Sequence, residues 1–332
     1  MVDHTQPSPT ITLGPDELAE LCARAIRAAG GSAEMAASLA AATVSAERRG
    51  KARLGVGHLG DFLDALEAGR IDGAAVPILD SPTPVAHRVD AGHGTAHLAF
   101  DTVFETLVDS ANRFGIGLAA ISHSYSAGEL AWFVHRLAER GLVAWAGSNS
   151  PALMSLFGST DAATGTNPLA FAVPHPDGPR LFDQASSATA WVNVREAADR
   201  GEAIPDDWAI DPQGEATTDA AAGLAGTLLP FGGVKGSNIA IMVELLATLG
   251  GGHFSLDAPS HADGDENPGI GLTIIAVDPE DLDPGYRERV AAHLERLRTE
   301  HGIDFGRKPL AEAVELSEDA VTELRRRGTA SS

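Results

Sequence analysis

One lysine lies among glycines in the segment PFGGVKGS, residues 230–237, and this arrangement suits an anion. Lys235 is one of only three lysines in the chain. Glycines let backbone amides approach a bound group closely, and the apolar stretch Ile239–Leu249 predicts a helix whose N-terminus carries partial positive charge. Lysine adds a point charge that suits phosphate or carboxylate. The pattern favours an anion-binding turn over a surface turn with a solvated lysine.

Two further polar segments are candidates for ligand contacts. Thr166 and Asn167, in the tight turn GTNP at 165–168, offer hydrogen bonds just before a predicted strand. The stretch Asp183–Ser187, DQASS, follows a short apolar pair, and an acid with two hydroxyls at a strand end can hold a hydroxyl or an amide of a ligand. Asp and Ser are also common helix N-caps. Both interpretations of this stretch stay open on the residues alone.

Among the twelve histidines, His123 has the most telling position. It follows the predicted strand Gly117–Ile121, and open α/β sheets bind ligands at the carboxyl ends of their strands. His58 lies in a glycine-flanked turn at the start of a predicted helix. His93 and His97 have a spacing that suits a metal, but no third ligand is near in the sequence, so we expect no metal site.

The segment Gly55–Gly60 matches the dinucleotide fingerprint G-x-G-x-x-G. That fingerprint needs a strand ending at its first glycine, so that the phosphate meets the N-terminus of the next helix. Here an alanine-rich helix, about Ser32 to Arg48, is predicted instead. We therefore interpret the segment as a glycine-rich turn between helices.

The elements that must position these residues alternate after a helical start. Residues 1–72 are predicted to be mostly helical and to be joined by C-terminal helices within 280–330, while residues 73–279 are predicted to form an α/β cofactor-binding domain. Strands are predicted at Val76–Leu79, Val85–Val89, Gly117–Ile121, Leu142–Gly147, Leu169–Val173 and Leu272–Val277. Further helices are predicted at Ala96–Phe114, Gly128–Arg140, Glu280–Thr299 and Ser317–Arg327.

Composition narrows the class of protein. The chain has 332 residues, with 24 basic and 46 acidic side chains and a net charge of −22. Such an acidic chain should repel nucleic acid and anionic membranes. No stretch reaches the roughly 18 apolar residues of a membrane span, and the N-terminus lacks the pattern of a secretory signal. We expect a soluble cytoplasmic protein that binds neither nucleic acid nor membrane.

Several short segments occur in the same order in a known family. They are VD at 89–90 (VDG in the family), SHSYSAG at 122–128 (SNHFGAAG), SNSP at 148–151 (TNSP), GTNP at 165–168 (identical), FDQASS at 182–187 (LDMATS), GE, IP, WA and D between 201 and 211 (GE-IP--WA-D), TTD at 217–219 (TTDP) and PFGGVKG at 230–236 (PLGG-KG). Together, from about Leu18 to about Pro309, they resemble the malate/L-lactate dehydrogenase family of NAD(P)-dependent oxidoreductases. That family includes ureidoglycolate, sulfolactate and diketogulonate enzymes and reductases of piperideine- and pyrroline-2-carboxylate.

The resemblance implies a fold, a cofactor and a set of site residues. The fold would be the α/β, non-Rossmann fold of that family, with a mixed-sheet cofactor domain beside a helical domain, as a homodimer. The cofactor would be NADPH or NADH, contacted by Ser122, His123, Asp183, Gln184, Ala185, Ser186, Ser187, Lys235, Gly236, Gly306 and Arg307. The substrate contacts would be Arg53, Thr166 and Asn167, and the catalytic candidates are His58, His123 and Asp183.

The sequence departs from the family where a proton is donated. The family's GHxSHGVxRL carries a serine and a proton-donating histidine, and in register Arg53 and Leu54 stand in their places, with His58 at the family's arginine. Leucine cannot transfer a proton, and a general acid is typically worth about 10²–10⁴-fold in rate. His58 or His123 could replace it. A cyclic iminium substrate, which arrives protonated, needs no donor, and Arg53 could hold its carboxylate.

The sequence therefore predicts an NAD(P)H-dependent oxidoreductase that transfers hydride to a small 2-oxo acid or a cyclic 2-imino acid. The loss of the family's histidine at Leu54 favours the imine. The alternative is a cofactor-binding member of the family whose dehydrogenase activity is lost or diverted.

Overall fold

The computed structural model describes residues 9–306 and 309–329, which form two compact units. The first consists of the described parts of Met1–Ala75 and Lys308–Ser332, and the second spans Val76–Arg307. Residues 280–306, which we expected beside the N-terminal helices, thus belong to the second unit. The amide of Asp278 bonds Gly115 O, and Leu181 N bonds Gly306 O, so both ends of this segment are tied to the α/β part.

The first unit combines helices with a two-stranded sheet. Its elements are β1 (Thr10–Leu13), α1 (Pro15–Ala28), α2 (Ala33–Arg48), α3 (Val56–Glu67), β11 (Val314–Ser317) and α10 (Glu318–Arg327). Pro15 begins α1, followed by two acidic residues, and Ser32 and Ser317 cap α2 and α10 through their side chains. Strands β1 and β11 pair antiparallel and join the two ends of the chain.

The glycine-rich segment at 55–60 was predicted to be a turn between two helices, but residues 56–60 are helical and only Gly55, the N-cap of α3, lies outside that helix. Helix α2 precedes it and α3 begins at Val56, whose amide donates to Oε1 of Glu47 at 2.7 Å. A Cβ at Gly55 would collide with that carboxylate. This glycine is therefore explained by the packing of Glu47 against the start of α3.

The second unit contains a seven-stranded mixed sheet. Its strands, in chain order, are β2 (Ile78–Thr83), β3 (Ala86–Asp90), β4 (Ile116–Ser124), β5 (Val143–Ser148), β6 (Leu169–Val173), β7 (Arg180–Gln184) and β10 (Ile270–Val277). The order across the sheet is β2-β3-β4-β10-β5-β6-β7. Only β3 and β4 pair in parallel, and the other neighbours are antiparallel. The sheet is therefore not doubly wound, in agreement with the predicted mixed-sheet fold.

Helices cover both faces of this sheet. Helices α4 (Ala96–Phe114) and α5 (Ala131–Glu139) pack on one face, and α8 (Val234–Ala247) packs on the other. Helices α6 (Trp191–Arg200) and α7 (Ala220–Ala225) instead share a core with a short ribbon made by β8 (Ala209–Ile210) and β9 (Thr227–Leu228), and α9 (Tyr286–His301) has no buried residue. Ala144 and Ala146 of β5 share a buried core with α4 and α5. Gly147, on the opposite face, lies against Val243 of α8. Among the described residues no helix is long and apolar enough to cross a membrane.

Helix α8 begins at Val234, five residues before the predicted start at Ile239. Gly232 and Gly233, which precede it, have φ of 57° and 61°, so the left-handed turn ends there and the lysine lies inside the first helical turn. Strand β7 was not predicted, because an arginine, an aspartate and a glutamine leave it only two apolar residues.

Glu47 generates a prediction for the dependence of stability on pH. Burial raises the pKa of its carboxyl, and the hydrogen bond from Val56 opposes this only in part. A carboxyl whose pKa is raised on folding stabilises the protein while protonated, and this contribution is lost as pH rises from the unfolded pKa to the folded one. Glu47→Gln keeps an oxygen acceptor for Val56 and cannot ionise. In urea unfolding, the variant should therefore gain stability relative to the native protein between pH 5 and pH 8.

The control for this prediction is Glu312→Gln, at an exposed glutamate of the same unit. Its difference from the native protein should be the same at both pH values. An equal difference at both pH values for Glu47→Gln would contradict the raised pKa.

Candidate active site

Three segments that the sequence singled out separately meet at one place in the second unit. The amide of Ala188 donates to Leu229 O at 2.8 Å, and the amide of Phe231 donates to Ser186 O at 3.1 Å. The amide of Ser186 in turn donates to Thr166 O at 2.7 Å. The DQASS stretch therefore lies between the GTNP turn and the glycine–lysine turn, held to both by backbone hydrogen bonds.

A buried carboxylate fixes the GTNP turn against α8. Glu244 of α8 accepts hydrogen bonds from Nδ2 of Asn167 at 2.7 Å and from the amide and hydroxyl of Ser255 at 2.6 and 2.7 Å. Gly165 N donates to Ser255 Oγ at 3.0 Å. A buried charge needs such donors, so this network also orders the turn. In the sequence, Glu244 looked only like an interruption of an apolar run.

Asn167 holds the turn through its side chain. It is fully buried with φ of 35°, and its Nδ2 also donates to Ala240 O at 3.0 Å. Its Oδ1 is buried and has no hydrogen-bond partner in the part of the chain that the structure describes. The side chain therefore serves mainly to hold the turn.

Lys235 is exposed in the first turn of α8. A cation at that end of a helix is disfavoured by the helix dipole, by about 0.3–1 kcal/mol in exposed settings. No acidic residue of this turn offsets it. The position is therefore unfavourable for helix stability and favourable for an anion that meets the lysine and the free helical amides together.

A cavity of about 550 Å³ lies beside the start of α8. Its wall includes Phe157, whose amide donates to Ser237 Oγ at 3.1 Å, and the carboxylate of Asp207. Phe157 is half exposed with φ of 54°, a left-handed conformation that is rare for an aromatic residue. The sequence analysis did not identify Phe157, because a residue type alone does not indicate a left-handed backbone conformation.

The DQASS stretch has mostly architectural contacts. Asp183 Oδ2 accepts from the amide of Ala131, the first residue of α5, at 2.9 Å, so it caps a helix other than the one next in sequence. Ser186 Oγ donates to Asn167 O at 2.7 Å, and Ser187 Oγ donates to Thr189 O at 2.5 Å. Gln184 is exposed and Ala185 is half-buried.

His123 lies at the end of β4, beside the end of β3, in the only parallel pair of the sheet. Its Nδ1 is 3.0 Å from Oδ1 of Asp90, which also accepts from the amide of Gly92 at 2.9 Å. Ser122, opposite Asp90 in the register, is buried, and its carbonyl accepts from Ala91 N at 2.9 Å. The carboxyl ends of β3 and β4 thus present an aspartate–histidine pair.

Two more histidines approach this pair. The rings of His93 and His123 are 5.8 Å apart between centroids, and those of His123 and His253 are 6.4 Å apart. Partial burial works against ionisation of Asp90, but the hydrogen bonds from Gly92 and His123 and the charges of His123 and His93 outweigh it and lower the pKa of this carboxyl. Asp90 is therefore a carboxylate at neutral pH.

The other predicted residues have separate positions. In the first unit, His58 lies 2.9 Å from Asp61, from Nδ1 to Oδ2, and Arg53 shares a cavity of about 410 Å³ with Glu47. In the second unit, Gly306 has φ of 62° and packs directly on the backbone of β7 at Leu181. Gly236 is buried in α8 against Phe231 O. Arg307 lies outside the described residues.

Metal ligation finds no support in residues 9–306 and 309–329. They contain no group of three or more His, Cys, Asp or Glu side chains arranged to hold an ion. His97 is buried and stacks on Phe133 with 5.6 Å between ring centroids.

Comparison with known proteins finds similar dehydrogenases and reductases. The family model for malate/L-lactate dehydrogenase matches residues 13–316. A (2R)-3-sulfolactate dehydrogenase (NADP(+)) from Chromohalobacter salexigens is 36% identical over 296 residues, which cover 86% of this chain and 89% of that protein. A Delta(1)-pyrroline-2-carboxylate/Delta(1)-piperideine-2-carboxylate reductase from Pseudomonas syringae pv. tomato is 37% identical over 306 residues, covering 91% and 88%. The crystal structure of a delta1-piperideine-2-carboxylate reductase from the same organism superimposes with a TM-score of 0.83 at 34% identity, covering 96% of this chain and 95% of that one.

Proposed function

This chain belongs to the malate/L-lactate dehydrogenase family, and from that premise we propose that it is an NAD(P)H-dependent oxidoreductase. It transfers hydride to a small 2-oxo acid or a cyclic 2-imino acid. The single observation that carries the proposal is the backbone pairing of residues 186–188 with residues 229–231, which brings the DQASS stretch to the turn that bears Lys235.

The residues at this place fit a dinucleotide. Lys235 and the amides at the start of α8 suit a phosphate, and the unpartnered Oδ1 of Asn167 can accept from an amide or hydroxyl. We assign the cofactor contacts to Ser122, His123, Asp183, Gln184, Ala185, Ser186, Ser187, Lys235, Gly236, Gly306 and Arg307. When bound, the reduced nicotinamide supplies the hydride. NADPH is favoured, because the sulfolactate dehydrogenase relative carries NADP(+) in its name.

The substrate carries a carboxylate next to the reacting carbon. Arg53, Thr166 and Asn167 are the proposed substrate contacts, and Arg53 suits a carboxylate through its two-pronged guanidinium. In our proposed register Leu54 stands where the family has its proton-donating histidine. A ketone requires a proton at the developing alkoxide, whereas a cyclic iminium does not, which favours the imine. The pyrroline- and piperideine-carboxylate reductases among the relatives support this choice.

Titration of the protein with NADPH and NADH, followed by nicotinamide fluorescence, tests the cofactor. Oxidation of the bound cofactor is then measured with cyclic imino acids and 2-oxo acids. We expect tight binding of NADPH and faster turnover of pyrroline- or piperideine-2-carboxylate than of pyruvate. Binding without oxidation of any substrate would instead favour the alternative, a family member that has lost the reaction. Absence of binding would exclude both.

Lys235→Met separates a binding role from a structural one. Loss of a charged hydrogen bond to phosphate costs about 1.5–3 kcal/mol, so the Kd for NADPH should rise about 10- to 100-fold. The thermal midpoint should stay unchanged or rise slightly, because the helix dipole no longer opposes a cation. Fluorescence titration and thermal unfolding measure the two effects.

The control for Lys235→Met is Arg298→Met, which removes an exposed cation from the solvent side of α9. It should leave the Kd for NADPH unchanged. An unchanged Kd in Lys235→Met would remove this lysine from the cofactor site.

We also propose that the protein is a homodimer that functions in the cytoplasm and does not bind nucleic acid. Helix α8 is apolar on its outer face as well as its inner one: Met242 and Leu245 are exposed there, and Leu249 is exposed two residues beyond the end of the helix. Exposed Phe254 and Leu256 follow in the next loop. An apolar face of this kind suits a self-complementary interface. The net charge of −22 works against nucleic acid.

The substitution Leu245→Glu tests the dimer. A charge on the α8 face should convert the dimer into a monomer at low micromolar concentration, as measured by light scattering after size-exclusion chromatography. Leu282→Glu, at an exposed leucine before α9, is the control and should leave the dimer intact. A native protein that is monomeric at every concentration would contradict the proposal, as would a Leu245→Glu variant that stays dimeric.

A further inference from the structure

We infer that Asp90 is a positioning residue that holds His123 as the proton donor of this enzyme, in place of the family histidine missing at Leu54. The inference rests on the proposed reduction and names the group that completes it when the substrate is a ketone. Hydride adds to the carbonyl carbon, and the proton on Nε2 of His123 passes to the oxygen, so that the hydroxyl forms. Solvent then returns a proton to the imidazole.

The direction of the hydrogen bond determines which nitrogen reacts. Nδ1 of His123 faces Asp90, a carboxylate that can only accept, so Nδ1 carries a hydrogen and donates it. The amide of Gly92 holds the same carboxylate oxygen. Nε2 is left as the nitrogen that gains and loses the proton. After transfer, the imidazole is in the Nδ1–H form, which is the form that the bond to Asp90 stabilises.

The backbone is strained at His123 and at His93, whose ring lies beside that of His123. His93 and His123 have φ of 63° and 54°, and they are two of only four non-glycine residues with positive φ in the described chain. Such a conformation costs on the order of 1–3 kcal/mol and persists where the surroundings impose it. The amide of His93 donates to His123 O at 2.9 Å, so the two strained residues hold each other. A histidine with no role beyond the surface would not require this backbone.

The charges that face His123 make Asp90 decisive. The ring centroids of His93 and His253 lie 5.8 and 6.4 Å from that of His123, and a positive charge on either ring would repel one on His123. Asp90 places a negative charge at Nδ1 of the same ring. Nδ1 of His253 is 3.0 Å from Pro268 O, so that ring is itself held in place and does not replace Asp90.

His58 is the competing donor, and its surroundings differ. It also pairs with an aspartate, Asp61, but both belong to one turn of helix α3. That backbone is helical and does not have a positive φ. His123 has the strained backbone, the converging rings and the place at the ends of two parallel strands, where α/β sheets bind ligands.

Two substitutions at Asp90 separate its hydrogen bond from its charge. Asp90→Asn retains an oxygen acceptor for Nδ1 but removes the charge, and Asp90→Ala removes both. ¹⁵N NMR of histidine-labelled protein at pH 8, with the signal assigned by His123→Gln, reports which nitrogen carries the hydrogen. We expect Nδ1–H in the native protein and in Asp90→Asn, and a change to Nε2–H in Asp90→Ala.

Kinetics with a 2-oxo acid complete the test. An aspartate that orients a catalytic histidine can be worth up to about 10⁴-fold in kcat. We expect kcat to fall about 10-fold in Asp90→Asn and at least about 100-fold in Asp90→Ala. In Asp90→Asn the fall of log kcat with rising pH should begin at lower pH, because the variant lacks the negative charge that attracts a positive imidazole. Cyclic iminium reduction should fall less than ketone reduction in the same variants, because an iminium needs no proton donor.

Asp80→Asn, which removes an exposed aspartate paired with Arg88 on the neighbouring strands, is the matched control and should leave all readouts unchanged. Three outcomes would overturn the inference: Nδ1–H retained in Asp90→Ala, an unshifted pH profile in Asp90→Asn, or a selective loss of ketone reduction in His58→Ala rather than in the Asp90 variants. If the native protein binds no cofactor, the proposed function is wrong. The NMR result still decides independently whether Asp90 determines the tautomer of His123.

Discussion

The place to which we assign the cofactor depends on a few backbone hydrogen bonds between residues 186–188 and 229–231. They join the end of a sheet strand to the start of α8 across a long stretch of sequence. Because the bonds join main-chain atoms, the side chains beside them can vary while the geometry stays. This explains how FDQASS and PFGGVKG differ from the family's LDMATS and PLGG-KG at several letters and still meet. Lys235 differs from these side chains, because its proposed role depends on its charge and therefore on its identity.

The buried carboxylate of Glu244 makes that geometry rigid. A charge in the core has to be fully hydrogen-bonded, and its donors come from Asn167 and Ser255, on different loops. Any shift of α8 along its axis would separate at least one donor from the carboxylate. Helix α8 and the GTNP turn are therefore linked through this one carboxylate. The free Oδ1 of Asn167 is thereby held at a fixed place beside the DQASS stretch.

The sequence predicted an element correctly where capping residues mark both of its ends. Helix α4 was predicted with its observed bounds, because Thr95 caps it and Gly115 ends it in a left-handed conformation. Strand β7 was missed, because as the last strand of the sheet it carries Arg180 and Asp183 in place of an apolar run. For the site, glycines and a rare lysine marked the turn at α8. Phe157 and the pairing of Asp90 with His123 arise from backbone conformation and strand order, which residue types do not encode.

Hydride transfer and proton donation are assigned to different elements, and this separation affects how substrate specificity can change. In our proposal, hydride transfer depends on the α8 and DQASS segments, whereas proton donation depends on a single imidazole that can come from another part of the fold. In the proposed register, leucine at position 54 would leave cofactor binding intact and change only which substrates can complete the reaction. An iminium needs no donor, and a ketone needs one with the right tautomer. Asp90, by fixing that tautomer at the ends of β3 and β4, decides how far a chain with this register retains ketone reduction.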